Sequence, residues 1–250
     1  MELKEIAKID VGREHRSSVP EIVYATGKRL MDLLEIARKV VEEKGYVVVT
    51  RCDRESLDAL IKEFSAEKYR RKVIEEVGTI YVQRDDYKPP RTGGKVGVLT
   101  AGTADIPVAE EAKLVAECMG CEVYTAYDVG VAGIHRLFEP LAQFVKSGVD
   151  VIVVVAGMEG ALPSVVAGLV DLPVIGVPTS TGYGLGGGGI GALISMLQSC
   201  SPGLAVVNID NGLGGGAMAA IIANRIATVS YTHLRAHETR HDLVCRLLLE

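Results

Sequence analysis

The sequence feature that most constrains the fold is an uninterrupted stretch without charge, residues 172–209. It contains an apolar run that ends at Pro178, a glycine-rich segment, an apolar helical run at residues 190–197 and a second apolar run at residues 204–209. This order predicts a strand, a loop, a helix and a strand. The glycines, together with Pro178 and Pro202, interrupt any apolar helix of about 20 residues, which argues against a membrane span. The stretch is therefore expected in a protein core, with a ligand-facing loop in its middle.

Length, composition and charge limit the number of domains and the kind of ligand that this protein can have. With 250 residues the chain has room for one domain of ordinary size and a smaller one, and 48% hydrophobic residues can form a sizeable core. The net charge is −5 and the lysines and arginines are scattered, unlike in proteins that bind nucleic acid or anionic membranes. A small molecule is therefore the expected ligand. The N-terminus lacks the apolar core of a signal peptide, which predicts a cytoplasmic protein with reduced cysteines.

From Lys95 onward, short β-branched runs alternate with helical runs. They predict five strands, at residues 96–99, 122–126, 149–155, 173–177 and 204–207. The alternation is typical of an α/β fold, here a doubly wound five-stranded parallel sheet of flavodoxin-like type. Ligands of such sheets bind at the loops that follow the strands, so the site is expected within residues 101–105, 127–136, 156–163, 179–189 and 210–216.

Residues 1–88 predict a separate small α+β domain, because they hold much of the charge and few glycines. Its expected elements are a helix, a strand, a helix and a strand, at residues 22–44, 46–50, 54–64 and 79–83. The polar, proline-containing residues 84–95 are the expected linker.

The second domain is predicted to span residues 89–228 and to end in a helix at residues 217–227. Residues 229–250 break the pattern and resemble a translated non-biological sequence, so they are set aside as an artefactual tail. The tail contains three histidines four residues apart, but its foreign character weighs against a metal site, and the sequence predicts none.

Polar residues after the predicted strands are the candidates for the site. Glu159 follows an all-apolar strand, where a carboxylate has no role in packing, and this favours a functional role. Asp105 and Asp128 occupy equivalent positions, although capping of the next helix also explains Asp105. His135 and Arg136 are candidates for phosphate binding or proton transfer, or else ordinary polar residues at a helix start.

The glycines after the fourth strand allow two interpretations. Gly182, Gly184 and Gly187 form G-x-G-x-x-G, and Asp210 ends the next strand, which together form a dinucleotide-binding fingerprint and suggest a nicotinamide-dependent oxidoreductase. That fingerprint belongs to the first βαβ unit, however, whereas here only one strand remains. In either case a glycine-rich loop that opens a helix can hold phosphates through its amides, which makes Gly182, Gly184 and Gly186 binding candidates.

Cys200 stands at the end of a helical run and before Pro202. A buried structural thiol is the plain interpretation. A reactive thiolate at this position would need a cationic neighbour, because the carboxyl end of a helix does not favour negative charge, and the substrate itself could supply that cation.

Several segments resemble the aminoimidazole ribonucleotide carboxylase/mutase family: AGTADIPVAEEA, AGIHR, AGMEGALPSVVAGLVDLPVIGVPTS and GALISMLQS. The resemblance covers roughly residues 95–227 and implies the flavodoxin-like fold. The chain departs from the family at one position, since the catalytic histidine before Leu-Pro is Ala161 here. This departure argues against the purine-type carboxylation.

A closer resemblance, to the LarB family, runs from the N-terminus to about residue 227 through DVGREHRSSVPEIVYATGK, AGMEGALPSVVAGL, LQSC and VVNIDNG. It implies carboxylation of nicotinic acid adenine dinucleotide at C5 of its pyridinium ring, with hydrolysis that releases AMP. The product, pyridinium-3,5-biscarboxylic acid mononucleotide, would serve the nickel-pincer cofactor of lactate racemase. The resemblance also implies that Cys200 is the nucleophile and that Glu159 removes the C5 proton.

The remaining expectations concern binding, cofactors and assembly. Thr103 and the glycine loops would hold phosphates. Arg13, Arg16 and Lys28 of the small domain would reach the substrate's carboxylate or phosphates, or else form a solvated face or a subunit contact. No tightly bound cofactor is expected, and the sequence leaves open whether Mg²⁺ assists hydrolysis. A homo-oligomer is expected, because the uncharged segment and residues 212–227 offer more apolar surface than one small sheet covers, and relatives are commonly octameric.

Overall fold

The structure, a computed structural model, describes residues 2–3, 7–8, 12 and 16–247, with side chains for residues 12 and 16–229. A small domain is built on a four-stranded mixed sheet, and a larger domain is built on a five-stranded parallel sheet. A short antiparallel pair, β1 (Glu2–Leu3) and β2 (Ala7–Lys8), precedes both.

The small domain pairs its strands in the order β3 (Ile22–Tyr24), β4 (Tyr46–Thr50), β6 (Thr79–Arg84) and β5 (Tyr69–Ile74). Helices α1 (Leu30–Lys44) and α2 (Arg54–Glu63) pack on one face. Strand β4 is buried throughout because it is covered on both sides: Val47 and Val49 face these helices, whereas Val48 faces the larger domain.

One prediction for the small domain is wrong, and one of its strands was not predicted. Residues 22–24 form strand β3 rather than the start of a helix, because they pair with β4 and a turn at Gly27, with φ of 79°, separates them from α1. Strand β5 was not predicted. Its charged residues Arg70, Arg71 and Lys72 suit an edge strand but obscure the apolar alternation by which a strand is recognised.

The larger domain confirms the predicted five-stranded parallel sheet. Its strand order is β11 (Leu204–Val206), β10 (Val174–Pro178), β9 (Val151–Ala156), β7 (Lys95–Thr100) and β8 (Glu122–Ala126). One face is covered by α3 (Ile106–Cys118) and α7 (Gly212–Leu247). The other is covered by α4 (His135–Lys146), α5 (Leu162–Ala167) and α6 (Ile190–Leu197).

Helix α7 begins earlier than predicted. Residues 212–216, expected as part of a loop, form its first turns. A Cβ at Gly212 would lie 2.3 Å from the Val108 carbonyl oxygen, and one at Gly216 would lie 2.2 Å from that of Ala112. These glycines therefore let α7 approach α3 closely, and a sequence pattern alone cannot distinguish such glycines from loop glycines.

Residues 212–229 of α7 are long and apolar enough to span a membrane, by length and composition alone. Their inner face carries Ala219, Ala220 and Ala223, all fully buried against α3 and the sheet. We therefore interpret this segment as the core helix of the domain.

Glu111 joins the two domains. It lies on α3, is fully buried, and accepts hydrogen bonds at Oε1 from the small domain's Thr50 Oγ1 at 2.9 Å and Thr79 Oγ1 at 2.8 Å. Burial raises the pKa of Glu111, although the Thr79 hydroxyl and the charge of Arg51 oppose the shift.

The neighbouring Glu110 also bridges the domains but is shifted in the other direction. It is partly buried, lies 2.6 Å from Lys72 Nζ and accepts from the Tyr127 hydroxyl. Burial alone would raise the pKa of Glu110, but the hydrogen bonds from Lys72 and Tyr127 outweigh it and lower this pKa.

Glu111→Gln and Glu110→Gln are expected to change the pH dependence of stability in opposite directions. Because the pKa of Glu111 is raised on folding, its stabilising contribution is present below the ordinary carboxyl pKa and is lost as pH rises through the raised value. The pKa of Glu110 is lowered, so its contribution is present above the ordinary value and is lost as pH falls through the lowered one.

The free energy of unfolding, measured by urea denaturation from about pH 3 to about pH 8, tests both signs. The advantage of the wild type over Glu111→Gln should shrink as pH rises, and its advantage over Glu110→Gln should grow. The same slope for both variants would contradict the opposite shifts.

Candidate active site

The strand order places the switch point of the sheet between β7 and β9. The chain leaves β7 for β8 on one side and continues from β9 to β10 and β11 on the other, so the loops after β7 and β9 diverge. A cavity of about 370 Å³ lies at this point, lined by residues drawn from 101–105, 128–132 and 156–162 together with Thr181. The crevice is therefore where the sequence predicted it, at the carboxyl ends of the strands.

Glu159 lines this crevice within a tight turn, in which the Gly160 amide donates to the Gly157 carbonyl at 2.9 Å. Met158 has φ of 51°, a left-handed conformation that costs energy for any residue other than glycine. Its amide donates to the Thr181 carbonyl at 3.0 Å. The Glu159 side chain is exposed and forms no hydrogen bond or ion pair with the other described residues. It is thus held by its backbone and available for proton transfer.

Asp105 is more strongly engaged than the sequence suggested. It is 4% exposed, its Oδ1 accepts from Thr179 Oγ1 at 2.7 Å, and its Oδ2 accepts from the Gly102 amide at 2.9 Å. These bonds shape the loop after β7 and leave the exposed Thr103 at the crevice wall. Asp105 therefore stabilises the loop that forms the crevice wall, whereas the Thr103 side chain is accessible to a ligand.

Asp128 and Arg136 form an ion pair on the β8 side of the crevice. Asp128 lines the cavity with φ of 58°, and its amide donates to Thr100 Oγ1 at 2.9 Å. Arg136 and the exposed His135 begin α4 just outside the lining. The structure thus brings Arg136 to the crevice through its partner Asp128.

The glycine-rich segment follows β10 beside the crevice. Gly182 and Gly184 are exposed, with φ of 141° and 78°, and Gly186 packs on Gly191. Asp210 anchors the start of this segment, because its Oδ1 accepts from the Ser180 amide at 2.8 Å. These glycines therefore lie at the carboxyl edge of the sheet, and anion binding by their amides stays a prediction.

Cys200 lies at the opposite edge. Its loop connects α6 to β11, and the Gly203 carbonyl in this loop accepts from the amide of Val174, the first residue of β10. Glu159 instead follows the end of β9, which pairs with Pro178 at the end of β10. The length of β10, roughly 13 Å at about 3.3 Å per residue, separates the two levels. Cys200 is not among the residues that line the crevice with Glu159.

The Cys200 thiol is exposed, unlike the other described cysteines. Ser199 and Ser201 flank it, and both hydroxyls lie near Ser164 Oγ, at 2.7 Å and 3.4 Å. Burial raises the pKa of the thiols of Cys52 and Cys121 to about 11, which makes them poor nucleophiles. Cys200 is therefore the accessible thiol of the described chain.

Two of the small-domain cations predicted to reach the substrate, Arg16 and Lys28, do not line the crevice. Lys28 donates from Nζ to the Tyr24 carbonyl at 2.7 Å, Arg16 is exposed, and Arg13 lies outside the described residues. Their roles stay predictions. Instead Arg51, directly after β4, donates to the Asp210 carbonyl. The rule used for the larger domain, a polar residue at the carboxyl end of a buried strand, would have found Arg51.

The described part of the chain contains no cluster of three His, Cys, Asp or Glu side chains that could hold a metal ion. The side chains of the three tail histidines lie outside the described residues.

Comparisons with known proteins agree with this architecture. The AIR carboxylase family matches residues 95–242, and the LarB/PurE-like N-terminal domain matches residues 1–74. An uncharacterized protein of Methanocaldococcus jannaschii is 50% identical over 89% of this chain and 86% of its own length. The N5-carboxyaminoimidazole ribonucleotide mutases of Pyrococcus abyssi and Thermotoga maritima are each similar at 32% identity, over 56% and 51% of this chain and 78% and 74% of their own lengths. The family match extends past residue 228, the predicted end of the domain.

Proposed function

This chain belongs to the AIR carboxylase family and carries a LarB-type N-terminal domain, and on that premise we propose that it carboxylates the pyridinium ring of nicotinic acid adenine dinucleotide and releases AMP. At the coarser level, the family makes it an enzyme of the carboxylase or mutase type. The proposed product is pyridinium-3,5-biscarboxylic acid mononucleotide, a precursor of the nickel-pincer cofactor.

The observation that carries this proposal is the wall of the crevice around Ala161. Ala161 lines the cavity beside Glu159, at the position where the sequence resemblance expects a catalytic histidine. The described lining contains carboxylates but no imidazole. A carboxylation that relies on a histidine proton shuttle is therefore disfavoured, and a reaction that needs one carboxylate base and a separate nucleophile is favoured.

The chemistry requires a nucleophile because a pyridinium carbon is too electron-poor to attack CO2. Addition of the Cys200 thiolate at C4 forms a C–S bond and converts the ring into a neutral dihydropyridine, whose C5 is nucleophilic. The positive charge of the ring favours the thiolate that attacks it. C5 then forms a bond to CO2, and the electron pair for this bond comes from the enamine of the ring.

Glu159 completes the reaction as the base. It removes the C5 proton, and the ring nitrogen then expels the thiolate from C4, which restores the aromatic pyridinium. No oxidant or reductant is consumed. Water cleaves the phosphoanhydride in a separate step, while Thr103 and the amides of the glycine-rich segment bind the phosphates at the carboxyl edge of the sheet.

The positions of Cys200 and Glu159 support a site shared between two copies of the chain. Atoms C4 and C5 are adjacent in one ring, so both side chains must lie within contact distance of it, whereas in one protomer Cys200 does not line the crevice that contains Glu159. A second copy that docks its α6 side against the crevice supplies Cys200. This side exposes an apolar surface that ends near Cys200, with Tyr183, Leu185, Ile190, Ile194 and Leu197 between 52% and 107% exposed. The proposed active unit is accordingly a homo-oligomer.

A nicotinamide-dependent oxidoreductase remains the second candidate, since G-x-G-x-x-G stands beside the crevice. Its position after β10, the fourth strand of the sheet in chain order, does not favour it. A non-catalytic nucleotide-binding protein is a third candidate, and its binding would not depend on Cys200 or Glu159.

The free thiols of the four described cysteines suit the cytoplasmic location that we propose for this enzyme.

Turnover separates these candidates. Purified protein with nicotinic acid adenine dinucleotide and bicarbonate is expected to release AMP, as measured by chromatography. With NAD alone it should develop a dihydropyridine-like absorbance without any reductant, because the thiolate adds to the ring. Hydride transfer to a second substrate, with no AMP released, would instead support the oxidoreductase, and binding without either reaction would support the non-catalytic candidate.

A further inference from the structure

Arg51 connects the small domain to the loop that follows β11. It lies directly after β4 with φ of 56°, in the left-handed region of backbone conformation that residues other than glycine rarely adopt. The Thr26 hydroxyl supports this turn by donating to the Arg51 carbonyl at 3.2 Å. The Arg51 guanidinium leaves its own domain, and Nη2 donates to the Asp210 carbonyl. The strained turn thus directs a cation toward the larger domain.

Asp210 passes this contact on to the glycine-rich segment. It has φ of 53°, its amide donates to the Pro178 carbonyl at 2.8 Å, and its Oδ1 accepts from the Ser180 amide at 2.8 Å. Ser180 is followed by Thr181, which lines the crevice, and then by the glycines. A continuous series of hydrogen bonds therefore runs from Arg51 through Asp210 to the start of the glycine-rich segment.

Arg51 forms a longer ion pair with the buried Glu111 in addition to its hydrogen bond to Asp210. In this pair Glu111 Oε2 lies 3.8 Å from Nη2, beyond hydrogen-bond distance. The Arg51 side chain is 28% exposed. A guanidinium with these surroundings favours an anion bound on the neighbouring loop as well as the loop's own geometry.

We propose that Arg51 is a positioning residue through which the N-terminal domain holds the glycine-rich segment in the shape that binds the phosphates of the dinucleotide. This role rests on the proposed function for the identity of the ligand. It gives the small domain a part in substrate binding through Arg51, whereas the roles of Arg16 and Lys28 stay predictions. Because Arg51 acts through Asp210, its loss should weaken binding more than it slows chemistry.

Arg51→Met tests this role in the full-length protein, because methionine keeps much of the side-chain bulk and removes the donor and the charge. Arg51→Lys retains a donor and the charge. Arg54→Met is the matched control, since Arg54 is 70% exposed and pairs within its own domain with Asp58 and Glu75. Hydrogen–deuterium exchange of residues 180–189 in the free protein reports the loop without any substrate, and AMP release reports KM and kcat.

In Arg51→Met, exchange in residues 180–189 should accelerate about tenfold while the sheet is unchanged, and KM should rise about tenfold with kcat within about twofold, as for loss of one hydrogen bond from a charged donor. Arg51→Lys should recover most of the protection, and Arg54→Met should match the wild type. Unchanged exchange in residues 180–189, or equal acceleration throughout the chain, would overturn the role of Arg51. Absence of AMP release from the wild type would overturn the proposed function instead, since the exchange experiment does not depend on it.

Discussion

Cys200→Ser is expected to lower carboxylation by about 1,000-fold or more, while substrate binding and the fold stay intact. A serine hydroxyl is far less ionised than a thiol near neutral pH, so it does not add to C4 of the pyridinium ring, and without that adduct C5 does not attack CO2. The substitution is nearly isosteric, and Cys200 is exposed, so little packing is lost. Initial rates of product formation and equilibrium binding of the dinucleotide measure the two effects separately.

Cys52→Ser is the matched control, because the Cys52 thiol is partly buried and burial raises its pKa to about 11. It should retain wild-type turnover. Unchanged carboxylation in Cys200→Ser would remove Cys200 from the mechanism. An equal loss of carboxylation in Cys200→Ser and Cys52→Ser would show that the Cys200 thiol contributes to stability rather than to chemistry.

Two inactive variants are expected to restore activity when they assemble together. Glu159→Gln retains its Cys200, and Cys200→Ser retains its Glu159, so a mixed oligomer contains sites in which both residues are native. With random mixing in equal amounts, about one quarter of the sites would be complete, and activity should rise from background toward about one quarter of the wild-type value. Co-expression of two differently tagged chains, followed by tandem purification and rate measurement, provides the test.

The control for this experiment pairs Glu159→Gln with a chain that carries both substitutions. In that mixture no site combines a native Cys200 with a native Glu159, so activity should stay at background. Recovery in neither mixture, with mixed oligomers demonstrably formed, would mean that each site takes both residues from the same chain and that the protomer rearranges to bring them together.

Much of the fold was predictable from the sequence because it follows from short-range patterns. The strand Val151–Ala156 is a continuous apolar run, as expected for a parallel strand covered on both faces, and the order of such runs predicts the sheet. The errors occur where one residue type serves two purposes. Gly212 and Gly216 look like loop residues but permit close helix packing, and the charged Arg70 to Lys72 run conceals an edge strand.

The candidate site was predictable only in part. Glu159 and Thr103 lie in the crevice because each is in a loop that follows a buried parallel strand, and Asp128 lies there because it follows the neighbouring edge strand β8. The distance between Cys200 and Glu159 was not predictable from resemblance, since a family motif names residues without saying which edge of the sheet they occupy. Arg51 was missed because the rule of a polar residue after a buried strand was applied only to the larger domain, although its contact with Asp210 joins residues far apart in the chain.

Mass spectrometry of the reaction with nicotinic acid adenine dinucleotide and ¹³C-labelled bicarbonate tests in one experiment whether this protein carboxylates the pyridinium ring through Cys200. We expect AMP together with a pyridinium mononucleotide heavier by one labelled carboxyl group, and a covalent adduct on the peptide that contains Cys200 when turnover is stopped early. A wild-type reaction that yields neither the labelled mononucleotide nor the adduct, with the dinucleotide recovered intact, would contradict this mechanism.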